Sequence, residues 1–300
     1  MLSKVAKLRP PEAEAVTRSF LCGLLGSGIK KSRSPDIHET EGAALGLRLV
    51  YRTIDFESFG AGSEALPDVL QAAERLGFDG LNVTHPYKQL IIPLLDEISD
   101  MARGVGAVNT VVFRGGKRIG YNTDASGFLG CFQRGLPGAA TGKIVQVGAG
   151  GAGSATSHAL LRTGAGRIGI YDIDPFHTEK LVANLVMHFG PERAYAIPNL
   201  ATLAEVMKSA DGLVQTSPIG MSSHPGLPIP PALLRPGMWV ADIIYFPEET
   251  ELLRAAKALG CRTLGGGAMV VLQAADAFGH FTGVKPDIDR MMRHFSAAHE

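Results

Sequence analysis

The sequence predicts an α/β protein of two lobes, and three observations carry that expectation. Short apolar runs alternate with longer segments of helical period, as in strand–helix–strand units around a mostly parallel sheet. At 300 residues the chain has room for two domains of about 150 residues each. Glycine occurs 37 times, roughly 12% against a usual ~7% and without a collagen period, so tight turns are in demand.

Taken in order, a strand over 20–25 is followed by a Gly/Ser/Lys loop and a helix over 35–45. A strand over 49–54 leads to a helix across 63–76, and a short strand, 80–83, runs into Thr84, His85, Pro86 and another helix. Segments 106–113 and 117–121 flank Arg114-Gly115-Gly116, which reads as a hairpin turn. A helix over 124–134 ends at Gly135-Leu136-Pro137-Gly138 and closes the crossover between lobes. The second unit alternates strands at 143–147, 167–171, 195–197, 213–216 and 238–244 with helices at 151–163, 177–189 and 249–259. A strand at 262–264 and helices over 268–281 and 286–296 finish the chain. The first lobe is thus expected over 1–124, completed by 268–300, and the second over 125–267, with the site in the cleft between them.

Composition narrows the partners. Lys plus Arg number 29 and Asp plus Glu 29, a formal charge of zero that argues against nucleic acid or a membrane surface and for a small ligand. Cys22, Cys131 and Cys261 are odd in number and form no CxxC pair, which suits a reducing compartment. No stretch reaches 18 apolar residues, and the first twenty mix charges with two prolines, so a cytoplasmic protein with a loose leader is expected. The nine histidines include no HxxxH or HxH pair, and no metal site is expected.

Gly148-Ala149-Gly150-Gly151-Ala152-Gly153 is a G-x-G-x-x-G run that follows a strand and opens a small-residue helix, the context in which this pattern binds a dinucleotide. Gly148 permits the tight turn, Gly150 lets backbone approach a pyrophosphate, and Gly153 lets helix pack on strand; the helix N-terminus supplies free N–H groups. At the end of the next strand stand Asp172 and Asp174. A carboxylate there accepts from the adenosine ribose and repels the extra phosphate of NADP, so NAD is the expected cofactor. Neither Arg nor Lys occurs between Ile168 and His177. The same aspartates also fit a solvated turn.

In the first lobe, Asn82-Val83-Thr84-His85-Pro86-Tyr87-Lys88 would project Lys88 from the carboxyl edge of the sheet, where α/β ligands sit. A lysine there suits alcohol oxidation, which needs a group to take the hydroxyl proton as hydride leaves; a solvated first-turn lysine fits the same spacing. Asp124, in Asn122-Thr123-Asp124, fits a helix N-cap, a catalytic carboxylate, or both.

Ser32-Arg33-Ser34-Pro35-x-x-His38, the segment Asn82–Lys88, Gly106-Ala107-Val108-Asn109-Thr110, Asn122-Thr123-Asp124, the glycine loop and Gln273-Ala274-Ala275-x-Ala277-Phe278 stand in one order. Together they resemble the shikimate dehydrogenases and their quinate/shikimate dehydrogenase relatives, over nearly the whole chain after the leader. The resemblance implies an N-terminal substrate lobe joined to a Rossmann lobe, with Lys88 and Asp124 as the catalytic pair. It implies that Ser32 and Ser34 hold a substrate carboxylate, with Arg33 adding charge or not. Asn82, Thr84, Asn109, Tyr245 and Gln273 would complete a cage for a ring bearing several hydroxyls, and Met269 would meet the nicotinamide. The implied reaction is reversible oxidation of shikimate to 3-dehydroshikimate and of quinate to 3-dehydroquinate. The implied partner is a cyclic polyhydroxy acid, bound by a monomer or homodimer.

Departures from the family pattern bear on the cofactor. Asp172-Ile173-Asp174 replaces the family's Asn-Arg-Thr run, which resembles the NAD-using branch. Gln215-Thr216-Ser217-Pro218, Glu39 and Ala268 also depart. An NADP-dependent biosynthetic shikimate dehydrogenase is the alternative enzyme. A nicotinamide-binding regulatory protein without turnover is the alternative from another class, and its sign would be loss of the lysine or aspartate. The Gly23–Lys30 segment imitates a phosphate loop, but Ile29 interrupts it.

Overall fold

A computed structural model describes residues 18–297. The expected leader lies, apart from its last three residues, outside them. Two six-stranded sheets organise the chain. The first contains β1 (Ser19–Gly26), β2 (Arg48–Asp55), β3 (Gly80–Val83), β4 (Glu97–Ile98), β5 (Thr110–Arg114) and β6 (Lys117–Tyr121), in the order β2-β1-β3-β5-β6-β4. β1 pairs in parallel with β2 and β3, and the sheet turns antiparallel at β5 and β6. Arg114 pairs with Lys117, so Gly115 and Gly116 alone make the turn, at φ of 61° and 73°. Two consecutive left-handed residues explain the paired glycines. Three helices belong to this lobe: α1 (Ser34–Ala44), α2 (Leu66–Arg75) and α3 (Asp100–Val105).

After α4 (Thr123–Gly135), the second sheet is wholly parallel. Its strands are β7 (Lys143–Val147), β8 (Arg167–Tyr171), β9 (Ala194–Ala196), β10 (Gly212–Gln215), β11 (Trp239–Asp242) and β12 (Arg262–Leu264), ordered β12-β11-β10-β7-β8-β9. The order reverses between β7 and β10, which opens a crevice beyond their carboxyl ends. The helices are α5 (Gly151–Arg162), α6 (Pro175–Phe189), α7 (Leu200–Met207) and α8 (Glu251–Ala258). α9 (Gly267–Thr282) then crosses α4, and α10 (Ile288–Ala297) docks on α1. No helix among the described residues is long and apolar enough to cross a membrane.

Four expectations need correction. No regular helix follows β3: residues 85–91 form consecutive turns and Ile92–Leu94 a short 3-10 turn. Pro86 and Pro93 lack N–H donors, and the run between them is too short to nucleate a helix. Lys88 therefore does not sit in a first helical turn. Residues 106–109 are not strand, because Gly106 (φ 71°) ends α3 in the left-handed conformation. The N-cap of α4 is Asn122, whose side chain accepts from Ala125 N, so Asp124 is not the cap. Finally β4, α3 and α7 have no counterpart in the sequence reading. Two and six residues are too short for a periodic signal, and α7 is apolar nearly all round.

Candidate active site

The amino-terminal half of the site is a hydrogen-bonded chain across the carboxyl end of the first sheet. Ser32 Oγ donates to Ser34 Oγ at 3.2 Å, and Ser34 hydrogen-bonds the Tyr51 hydroxyl. Tyr51 donates to Asn82 Oδ1 at 2.7 Å, and Asn82 Nδ2 donates to Thr110 Oγ1 at 2.9 Å. Thr110 donates to Asn109 Oδ1 at 3.0 Å, which also accepts from Thr123 N at 2.8 Å. Burial raises the Tyr51 phenol well above its usual pKa and keeps it a neutral donor. His38 stacks on Tyr51 with centroids 4.6 Å apart, and burial pushes its imidazole down to about 3. Sequence reasoning missed Tyr51; its signal was an inward-facing tyrosine on a strand of alternating burial.

Lys88 and Asp124 meet at 2.7 Å, Nζ to Oδ2. Two buried anchors present the lysine. Tyr87 packs its ring on Phe56 at 4.4 Å, and Ile91 N bonds Tyr87 O, so the turns between them leave Lys88 at the surface of the cleft. Val108 N donates to Lys88 O at 2.8 Å and ties this segment to Asn109. Asp124 is buried in the first turn of α4, where the helix dipole favours a carboxylate. Asn122 Nδ2 on Ala107 O and Asn109 on Thr123 hold that helix start in place.

Gln273 enters from α9. Gly127 faces it so closely that a Cβ there would lie 2.6 Å from Gln273 Cγ, so α4 and α9 cross at that glycine. Met269 is buried at the start of α9 and belongs to the same apolar cluster as Ala107 and Ala149. Ser154 Oγ on α5 donates to Val105 O on α3 at 2.8 Å, a direct bond between the lobes. Thr84 follows β3 directly, its N–H on Leu25 O at 2.9 Å. Tyr245 is not drawn into this arrangement: it lies in the loop after β11, 51% exposed.

The glycine loop has the shape a dinucleotide requires. Gly148 adopts φ of 100° and abuts Ser217 N, while Gly153 lies under Gly148 O, where a Cβ would be 2.4 Å away. Gly150 and Gly151 face open space, and no side chain caps the first turn of α5. Its N–H groups are therefore available to a pyrophosphate. Beneath the loop, Gln146 is 0% exposed in a parallel strand that is otherwise apolar inside. Its Nε2 donates to Gly148 O and Gly153 O, both at 3.0 Å, and Thr216 Oγ1 donates to Gly148 O at 2.9 Å. These bonds turn the carbonyls inward. Neither Gln146 nor Thr216 was singled out as a site residue, although a glutamine between valines before a glycine loop is a visible anomaly.

Asp172 accepts from Ala149 N at 2.7 Å and from Asp174 N at 2.9 Å, so its carboxylate lies against the loop. Asp174 instead accepts from Phe176 N as the N-cap of α6. Arg33 turns away from the two serines: it donates to Phe295 O at 3.2 Å and to Asp36 at 3.0 Å. Glu39 accepts from Tyr51 N at 2.8 Å on the outer side of edge strand β2. Among the described residues no three His, Cys, Asp or Glu side chains gather as metal ligands would.

The family model for the shikimate dehydrogenase substrate binding domain matches residues 24–111. A shikimate dehydrogenase (NADP+) of Streptomyces avermitilis is 52% identical over 91% of this chain and 94% of its own. A quinate/shikimate dehydrogenase (NAD+) of Corynebacterium efficiens is 45% identical over 92% of this chain and 98% of its own. Quinate dehydrogenase from Corynebacterium glutamicum, solved in complex with NAD, superposes with a TM-score of 0.88 at 44% identity, covering 94% of this chain and all of that one.

Proposed function

The chain belongs to the shikimate dehydrogenase family, a family of oxidoreductases, and from that premise we propose that it interconverts quinate or shikimate and the corresponding 3-dehydro acid, with NAD preferred. The observation that carries the chemistry is the 2.7 Å pair of Lys88 and Asp124. A nicotinamide dinucleotide, when bound, accepts the hydride leaving the ring carbinol. Lys88 takes the hydroxyl proton onto Nζ, and Asp124 stabilises the resulting ammonium and accepts from a neighbouring substrate hydroxyl. Ser32 and Ser34 hold the carboxylate by neutral donors. Asn82, Thr84, Asn109 and Gln273 bound the ring, Tyr245 reaches it from the exposed loop after β11 when substrate binds, and each polar group that an incorrect ligand leaves unpaired costs about 1–3 kcal/mol. The glycine loop 148–153 with Met269 takes the dinucleotide, and residues 125–267 form its lobe.

What supports the preference for NAD is Asp172, whose carboxylate accepts from Ala149 N of the glycine loop; an acidic residue after the second strand of such a fold hydrogen-bonds the ribose hydroxyls of NAD. Its charge repels a 2′-phosphate, whereas Asp174 serves mainly as a helix cap. The test is NAD reduction with quinate and with shikimate by wild type and Lys88→Met. The substitution is expected to lower kcat by about 10²–10⁴-fold, the usual worth of a positioned proton acceptor, with NAD binding retained. Tight NAD binding by wild type with no turnover of either acid refutes the proposal.

A further inference from the structure

The end of β11 buries a carboxylate that the proposed chemistry does not use. Asp242 is 2% exposed, and the other three residues of its strand are buried and apolar. Both partners are neutral: Oδ1 accepts from Ile244 N at 3.1 Å and Oδ2 from Thr250 Oγ1 at 2.7 Å. Burial pushes this carboxyl up to about 6. A carboxylate held in the interior without a cation is costly, and an apolar residue would avoid that cost.

Position is what the carboxylate supplies. Ile244 and Thr250 stand at the two ends of the loop between β11 and α8. Thr250 is buried and caps α8 through Leu253 N at 3.2 Å. The loop base is closed by Ile243 N on Gln215 O and by Gly266 N on Ile244 O, both at 3.1 Å. A Cβ on Gly266 would lie 2.1 Å from Ile243 O, so the strand-to-α9 connection presses directly on the base. The tip is free: Tyr245 and Phe246 are 51% and 62% exposed. A carboxylate can accept at both ends at once, whereas an asparagine must use its N–H₂ at one of them.

We infer that Asp242 is a positioning residue, tying both ends of the 244–250 loop so that Tyr245 is presented to the substrate ring at the cleft. The inference rests on Tyr245 being a substrate contact. The loop is fixed where the protein needs rigidity, while the tip retains the freedom to meet a ligand. Substrate acid, not dinucleotide, should feel the loss of Asp242.

Steady-state kinetics on wild type, Tyr245→Phe, Asp242→Ala, Asp242→Asn and the Asp242→Ala/Tyr245→Phe double variant test this. Tyr245→Phe and Asp242→Ala should each raise the KM for the acid about ten-fold, the worth of one hydrogen bond to a polar ligand, with the KM for NAD within about two-fold. The double variant should add little to either single one, and Asp242→Asn, which can accept at only one end, should raise the KM for the acid but by less than Asp242→Ala does. If Tyr245→Phe is inert, the substrate contact falls and the inference with it. If Tyr245→Phe raises the KM but Asp242→Ala is inert, or the two effects multiply, the inference alone falls. Should Asp242→Ala not fold, Thr250→Val cuts one of the two ties: a raised acid KM sustains the inference and an unchanged one overturns it.

Discussion

Replacing Arg290 by methionine strands a carboxylate. Glu41 on α1 is 1% exposed; its Oε1 accepts from Asp287 N and Arg290 Nη2, both at 2.7 Å, and Oε2 accepts from Arg290 Nε at 2.8 Å. The variant leaves one backbone donor on a buried charge, and removing one partner of such a pair costs about 3–5 kcal/mol. Arg290 is itself 31% exposed, so its departure opens a path for water and puts the expectation near the low end, about 3 kcal/mol. Glu41→Leu is milder, about 1 kcal/mol, because the guanidinium can rehydrate. The double variant fills the space with apolar atoms and should lie within about 1 kcal/mol of wild type, a coupling of about 3 kcal/mol. Urea unfolding followed by far-UV circular dichroism measures all four proteins. Additive single costs would refute the reasoning. The consequence reaches the site, because Arg33, between the two serines, stacks on Phe295 with its guanidinium 5.0 Å from the ring centre.

Three further outcomes are expected. Asp172→Asn with Ile173→Arg should raise the ratio of kcat/KM for NADP over that for NAD; Ile173 is 90% exposed, so the arginine needs no repacking, and an unchanged ratio counts against the role of Asp172. Gln146→Leu removes the amide beneath the glycine loop and should raise the KM for NAD about ten-fold with the KM for the acid unchanged, whereas equal changes in both refute the clamp. Asp242 has its pKa raised from 3.8 to about 6, so the native state holds its proton more tightly and loses stability as pH rises through that window. Against Asp242→Asn, wild type should lose about 3 kcal/mol between pH 4 and 7 and no more above it, read from thermal midpoints across pH; a constant difference refutes the assignment.

Strand and helix order in both lobes was legible because burial imposes period 2 on strands and a 3.6-residue period on helices, patterns set within a few residues. The glycine loop was legible for a similar reason: a positive φ at Gly148 and contact at Gly153 admit no side chain, so the demand is written as glycine. Lys88 and Asp124 were legible as residues that follow strand ends. Where the reading failed, the deciding contacts were distant. The turns after β3 are held by Tyr87 on Phe56, the start of α4 by Asn109, and neither partner is a sequence neighbour.

Residue types and their local spacing, then, determined the α/β class, the alternation of elements and the dinucleotide loop, since these follow from backbone stereochemistry and nearby burial. Only the folded chain decided that Lys88 meets Asp124, that Arg33 faces α10 and not the serines, and that Gln146 and Asp242 are buried beneath loops. Hydrogen bonds and ion pairs act over a few ångströms in space, and which groups come that close depends on how strands and helices pack across the whole chain.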